Sequence, residues 1–318
     1  MKQALASWAG SASQFLIVVA VVMECITFAI LSPSFLTIDN FVNVALQIAI
    51  YGILAVGMTL VIITGGIDLS VGSLVALSAV AAAAVMEKLS GQAGLSILLA
   101  VALGIGLGLV AGGFSGLMIT RLRVPPFIVT LALMTIGRGL AFILTGGFSI
   151  GNLPGGFGFL GRGHLGPVPT PVVTMALVFI AGYLLLSKSQ YGRYIYAIGG
   201  NEEASRLSGI DTKRVIQRVY LINGGLAGLA GITLASRLGA GVPNSGLQYE
   251  LDVIAAVVVG GTSLMGGTGS VMGTFWGTVF IGILNNGLNL ANVDPYTQKV
   301  ALGVVILLAV LLDRMKKP

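Results

Sequence analysis

Successive apolar runs, most of them long enough to cross a lipid bilayer, constrain this chain more than any other feature. A hydrocarbon core of about 30 Å takes roughly 20 residues of α-helix. Only 9% of the 318 residues are charged, and 56% are apolar, so a water-soluble fold would expose too much apolar surface. The sequence predicts an all-α, polytopic membrane protein. The candidate crossings are 14–31, 42–63, 69–86, 95–119, 128–144, 172–186, 219–236, 253–264, 273–290 and 300–312.

These runs predict a single transmembrane domain over residues 1–318, with about ten crossings. The eighth and tenth runs are short, so some helices are expected to be broken or half-length, and nine or eleven crossings stay open. With a cytoplasmic N-terminus, twelve of the 17 basic residues fall on the cytoplasmic side. The positive-inside rule therefore predicts that both termini are cytoplasmic. Basic residues on one side of the membrane account for the net charge of +6, which therefore does not indicate binding to nucleic acid.

Two ladders of glycines spaced four residues apart predict close helix packing. This spacing places the glycines on one helix face, where a partner backbone can come near and dispersion contacts replace the missing hydrophobic drive. A direct role in the substrate path is the alternative. The ladders are Gly104, Gly108, Gly112 and Gly116, and then Gly269, Gly273 and Gly277.

A short internal echo suggests a repeat. Residues 65–72 read GGIDLSVG and residues 260–267 read GGTSLMGG, and both fit G-G-x-[DS]-L-x-x-G. Transporters often contain internal repeats whose interrupted helices line the substrate path. The alternative is that glycine-rich turns look alike.

The motifs of catalysis are absent from the sequence. No G-x-x-x-x-G-K-[ST] occurs, so any ATP must be hydrolysed by another subunit. The chain has one histidine, His164, and one cysteine, Cys25, which is too few for a metal or hydrolytic site. We therefore predict that the chain is not an enzyme and holds no cofactor or metal of its own.

The connection from Ser187 to Arg218 is predicted to be a cytoplasmic loop containing a short helix. Asn201 is a favourable N-cap, and Glu202 and Glu203 follow in the first turn, where the helix dipole favours anions. Gly209 is a natural stop signal. The alternative is an ordinary basic connection between two membrane helices.

This loop resembles the E-A-A-x-x-x-G loop of permeases of ATP-binding-cassette (ABC) importers. Glu203, Ala204 and Ser205 match its start, with serine in place of the second alanine, and Gly209 stands six residues after the glutamate. The wider chain resembles the ribose-type monosaccharide permeases. The matching segments, in order, are GGIDLSVG from Gly65, GRYIYAIGGNEEASRLSG from Gly192 and YELDVIAAVVVGGTSLMGG from Tyr249.

The resemblance implies a bacterial inner-membrane permease that imports ribose or a related sugar by alternating access. It implies cytoplasmic ATPase subunits that bind ATP and Mg²⁺, a sugar-binding protein outside, and a second permease copy, either identical or a close paralogue. The sugar is left open. The residues expected to couple to the ATPase are Asn201, Glu202, Glu203, Ala204, Ser205, Arg206 and Gly209.

Polar side chains in the membrane segments are candidates for the sugar path, because a neutral, hydroxyl-rich substrate needs directional hydrogen bonds. Hydrogen bonding between helices is the alternative for the asparagines. The chain places two charges, Glu24 and Arg138, within the predicted crossings. Arg138 is expected to bond backbone carbonyls at a bend. The candidates for the path are Asp68, Ser70, Asn285, Asn286 and Asn289.

Two other functions are compatible with a polytopic chain. An ion-coupled secondary transporter would also have broken helices at the membrane midplane, but it usually needs carboxylates inside the membrane, and Glu24 is the clear one. A passive channel would need no docking loop. ATP-dependent uptake distinguishes the importer from both.

Overall fold

The computed structural model describes the backbone of residues 2–315 and the side chains of residues 16–311. Lys316 and Lys317, which count toward a cytoplasmic C-terminus, lie outside the described residues.

The described chain is a bundle of helices with one short β-hairpin, each strand of which has two residues. A 3₁₀ turn lies at Gly155–Gly158 and a π-helical turn at Leu184–Lys188. The hairpin pairs β1 (His164–Leu165) antiparallel with β2 (Val168–Pro169). The helices are α1 (Lys2–Leu31), α2 (Ile38–Ile63), α3 (Val71–Lys88), α4 (Ala93–Arg121), α5 (Pro126–Thr145), α6 (Phe159–Arg162), α7 (Thr170–Tyr183), α8 (Gln190–Gly200), α9 (Glu202–Leu207), α10 (Thr212–Leu238), α11 (Tyr249–Val259), α12 (Val271–Leu290) and α13 (Pro295–Met315).

Each predicted crossing corresponds to a helix, which supports the all-α, polytopic fold. Seven helices are long and apolar enough to span a membrane among the residues described, and shorter apolar stretches occur at Leu16–Leu31 and Pro295–Leu311. The eighth predicted run, 253–264, is wrong at both ends. Its helix, α11, begins at Tyr249 and ends at Val259, because Gly260 and Gly261 follow and Gly261 has a φ of +89°.

The core of the bundle is α2. Its most apolar stretch has a mean hydropathy of 2.3 and is 89% buried within the chain, whereas the corresponding stretches of α4 and α5 are only 22% buried. A helix that is apolar all round and covered by protein is central, while one that is apolar and uncovered faces lipid. The helices α7, α10, α11 and α12 all pack on α2.

The first glycine ladder brings α4 and α10 into backbone contact. A Cβ at Gly108 would lie 2.1 Å from the carbonyl oxygen of Gly224, and one at Gly112 would lie 2.2 Å from that of Tyr220. The contact is reciprocal, because a Cβ at Gly228 would lie 2.5 Å from the carbonyl oxygen of Gly104. Only glycine fits at this distance, as the packing of small residues between membrane helices requires.

The second ladder joins α11 to α12. A Cβ at Gly273 would lie 2.1 Å from the carbonyl oxygen of Gly260, and one at Gly277 would lie 1.9 Å from that of Ala256. Gly269 precedes α12 and packs on the side chain of Thr262 instead. The two helices therefore run antiparallel at close range.

The segment 239–248 re-enters the bundle without helical structure. It descends along α3: Gly241 lies against Ala83 and Val80, and Gly246 lies against Gly72. Arg138 of α5 donates hydrogen bonds to the carbonyls of Pro243 and Ser245, both at 2.7 Å. Backbone carbonyls at membrane depth need such donors. The expectation that Arg138 bonds carbonyls is thus met, on a neighbouring segment.

The α4–α10 contact predicts a clear difference between two neighbouring glycines of α4. Gly108→Ala should lower the free energy of unfolding by about 1–3 kcal/mol, because the added methyl group overpacks a rigid backbone contact. Gly106→Ala should be neutral or slightly stabilising, since its Cβ would meet nothing within 4 Å. Thermal unfolding of both variants in the same detergent measures the effect. Equal midpoints would contradict this packing.

Candidate functional site

The connection between α7 and α10 folds as two short helices, α8 and α9. Ser189 caps α8, and its hydroxyl accepts a hydrogen bond from the Gly192 amide at 3.1 Å. The Tyr191 hydroxyl donates to the carbonyl of Val215 at 2.9 Å, which fixes α8 on α10. The sequence predicts the second of these helices but not the first.

The predicted short helix is present as α9, with the predicted caps. The side chain of Asn201 accepts a hydrogen bond from the Ala204 amide at 2.9 Å, and Gly209 takes a left-handed φ of +87° beyond the last turn. Ser205 faces inward at 5% exposure, and its hydroxyl donates to the Asn201 carbonyl at 2.9 Å. Its hydroxyl therefore fits where the resembling loop has alanine. Leu207 is 76% exposed.

One ion pair lies on the exposed face of α9. The guanidinium of Arg206 donates two hydrogen bonds to the Glu203 carboxylate. These bonds and the charge of Arg206 lower the pKa of the Glu203 carboxyl below its ordinary value. The pair therefore stays ionised at every pH near neutrality. Because both side chains are largely exposed, it shapes the surface more than it stabilises the fold.

A cluster of glycines, which we call the glycine junction, connects this surface to the membrane helices. It consists of Gly199, Gly65, Gly266 and Gly267 around the end of α2. The Gly267 amide donates to the carbonyl of Ile63 at 2.9 Å. A Cβ at Gly199 would lie 1.7 Å from that same carbonyl oxygen. The C-terminal end of α8, which comes directly before Asn201, therefore packs on the backbone of α2 without an intervening side chain.

The glycine junction brings together the two echoing segments of the sequence. Residues 65–72 follow α2 and run into the first turn of α3, and residues 260–267 lie between α11 and α12. A Cβ at Gly266 would lie 3.1 Å from the Gly65 amide nitrogen and 2.9 Å from the Gly199 carbonyl oxygen. Both segments are therefore turns between helices that lie against the end of α8.

Asp68 and Ser70 lie inside the bundle and bond to the chain itself. The Asp68 carboxylate accepts hydrogen bonds from the Ser70 amide and hydroxyl at 2.8 and 2.6 Å, and from the Asn223 amide group at 2.8 Å. Both Asp68 and Ser70 are fully buried. This arrangement ties the turn before α3 to α10.

The three asparagines of α12 have different partners. Asn286 exchanges two hydrogen bonds with Asn40 of α2, at 3.0 and 2.9 Å. Asn289 accepts from Gln298 of α13 at 2.9 Å. Asn285 instead lies beside the carboxylate of Asp252 in α11. The structure therefore does not bring the three amides together.

Two carboxylates that sequence reasoning placed outside the membrane lie inside the bundle. Asp252 and Glu250 belong to the first turn of α11, and the neighbouring Tyr249 ring lies 4.8 Å from that of Tyr51, midway along α2. The available signal was the run YELD directly before an apolar stretch. Glu24, by contrast, is buried on α1, and both of its carboxylate oxygens lack a hydrogen-bond partner in the described structure.

Comparison with known proteins identifies the family. Residues 40–310 match the family described as "Branched-chain amino acid transport system / permease component". The chain belongs to this family of permeases. It is 48% identical to the Ribose import permease protein RbsC of Bacillus subtilis, over 92% of this chain and 89% of that protein. It is 46% identical to the protein of the same name from Escherichia coli K12, over 90% and 89%.

Permeases named for other sugars are also similar. The L-arabinose transport system permease protein AraH of Escherichia coli is 39% identical over 92% of this chain and 88% of its own. The XylH xylose permease of the same organism is 36% identical, over 89% and 87%. No solved structure matches this permease. With its apolar helices, family membership makes this permease a multi-pass protein of the bacterial inner membrane.

The glycine junction predicts that two adjacent glycines of the permease respond differently to a methyl group. Gly199→Ala should loosen α8 and α9 and lower their local opening free energy by about 1–3 kcal/mol, because the Cβ overlaps the Ile63 carbonyl. Gly200→Ala is the control, since its Cβ would meet nothing within 4 Å. Hydrogen exchange of the amides of residues 190–207 measures the effect. Equal protection in both variants would show that the junction does not hold this surface.

Proposed function

We propose that this chain is the membrane-spanning subunit of an ABC importer that carries a monosaccharide, ribose or a close relative, across the bacterial inner membrane. The observation that carries the proposal is α9, an exposed, capped helix held against the turns of the membrane helices. The names of similar permeases support the sugar, since they include ribose, arabinose and xylose.

The proposed topology has about ten crossings, with both termini in the cytoplasm. Four features lie at one end of the bundle: α8, α9 and the two glycine-rich turns. The end of α10 and the contact of Gly161 with Arg237 lie at the opposite end. The concentration of basic residues around α8 and α9 supports a cytoplasmic location for that end by the positive-inside rule.

In this account the loop 187–218 docks the ATPase. The segment from Asn201 to Gly209, including Glu202, Ala204 and Ser208, fills a groove of a cytoplasmic subunit that binds ATP and Mg²⁺. The Glu203–Arg206 pair and the exposed Leu207 offer that subunit a polar face beside an apolar one. The permease itself contributes no nucleotide site.

Movement of α9 reaches the membrane through the glycine junction. Since Gly199 contacts the end of α2 and the turn before α12 without intervening side chains, a displacement of α8 must shift both. The turns after α2 and α11 then move, and this movement switches the side of the membrane to which the translocation path is open. A second permease copy completes that path, and a sugar-binding protein delivers the ligand from outside.

The coupling proposal predicts the effect of reversing one charge. Glu203→Arg should abolish co-purification of the ATPase subunit from detergent-solubilised membranes and reduce ribose uptake at least about tenfold, because the docking face loses its ion pair and gains a repulsive one. Glu87→Arg is the matched control. It reverses an exposed charge at the end of α3, on the side of the bundle away from α9.

A charge swap separates docking from folding. Glu203→Arg combined with Arg206→Glu keeps an ion pair within α9 but inverts its direction, so the helix should persist. Docking should still fail, because the surface presented to the ATPase is reversed. ATPase co-purification and uptake at wild-type levels in the Glu203→Arg variant would contradict the coupling role.

A further inference from the structure

An interruption of helical structure lies at the middle of the membrane bundle. Tyr51 lies midway along α2, a helix of 26 residues that is about 39 Å long. The ring of Tyr249, the first residue of α11, packs edge-on against the Tyr51 ring at 4.8 Å. Helix α11 therefore starts near the centre of the bilayer, and the non-helical segment 239–248 leads to it.

Polar side chains surround this helix start. Tyr51 lies beside Gln47, one turn earlier on α2, and beside the Asp252 carboxylate, close enough to interact with both. Asn285 of α12 lies beside the same carboxylate. Three helices thus contribute polar side chains to one point.

These groups are not sealed within the chain. Asp252, Asn285, Tyr249 and Gln47 are all only half-buried, and the adjacent Leu251 is 42% exposed. A carboxylate that faces hydrocarbon is costly, so at membrane depth such a group faces water or another protein. The uncovered side of this cluster therefore faces water or another protein rather than lipid.

We propose that Tyr51, Asp252 and Asn285, with the ring of Tyr249, form the midpoint sugar-contact site of the translocation path. The inference rests on the proposed importer function and specifies where the sugar is contacted. Its ligand class is a neutral monosaccharide with adjacent hydroxyl groups.

The chemistry of these groups suits such a ligand. A carboxylate can accept about four hydrogen bonds, so Asp252 can accept from two adjacent sugar hydroxyls. An amide has two N–H donors and a carbonyl oxygen, so Asn285 can donate to one sugar hydroxyl and accept from another. The tyrosine rings offer an apolar face to the C–H side of a sugar ring. Together, these groups form a site that binds the sugar weakly enough to release it.

Transport kinetics of the complete complex in liposomes test the site. Asp252→Asn and Tyr51→Phe should each lower the maximal rate of ribose uptake at least about tenfold, because a charged or buried hydrogen-bond partner is lost. Binding of the ATPase subunit should be unchanged. Asp39→Asn and Tyr296→Phe are the matched controls, since both residues are exposed at helix starts far from the cluster. Wild-type uptake in Asp252→Asn would overturn the proposal.

Cysteine accessibility tests the site in complexes that still transport, so that misfolded variants are excluded. Cys25 is the only cysteine of the sequence, so Cys25→Ser gives a clean background. Asn285→Cys should react with a charged, water-soluble thiol reagent, and ribose delivered by its loaded binding protein should slow the reaction. Val110→Cys, on the exposed face of the lipid-facing helix α4, should react slowly. An unreactive Asn285→Cys in an active complex would overturn the proposal.

The same experiments separate this inference from the importer function. If the wild-type complex accumulates no monosaccharide with ATP, the importer proposal fails whatever the cysteines report. If the wild-type complex transports ribose while the Asp252 and Tyr51 variants match it, the sugar-contact site alone is wrong.

Discussion

The contact of Gly199 with the carbonyl of Ile63 is the point on which the proposed coupling depends. That carbonyl ends α2, the most buried helix, and it also accepts the hydrogen bond of Gly267. No side chain separates α8 from this backbone, so the contact transmits displacement without the slack that rotamer changes would introduce. The surface helix α9 begins three residues after Gly199, at Glu202. In the proposed coupling, the helix that binds the ATPase subunit is thus joined to two membrane turns by backbone alone.

The rest of the bundle divides into a rigid part and an interrupted part. The glycine ladder of α4 fixes α4 on α10, and Asp68 ties α10 to the turn before α3. By contrast, α11 is half the length of a membrane helix, and the non-helical segment before it is held by Arg138. A transporter needs both, because a path that alternates requires some segments to move against others that do not.

Much of this fold follows from the sequence because membrane helices satisfy their own backbone. Apolar runs therefore predict helices directly, and the Asn201 and Gly209 signals predict α9 because capping is a local interaction. The N-terminal boundary of α11 could not be predicted from the sequence in this way. Glu250 and Asp252 look like loop residues in the sequence, and only the packing of Tyr249 on Tyr51 places them within the bundle. The cluster of Tyr51, Asp252 and Asn285 depends on contacts between distant segments, which spacing does not encode.

Reconstitution of the wild-type permease tests the central claim most directly. The purified chain would be placed in liposomes with its ATPase subunit and its sugar-binding protein, and accumulation of ribose against a gradient would be measured. The importer account predicts accumulation that requires internal ATP, the ATPase subunit and the binding protein, and that persists when proton and sodium gradients are collapsed. Ribose accumulation that follows an ion gradient and proceeds without the ATPase subunit would contradict it.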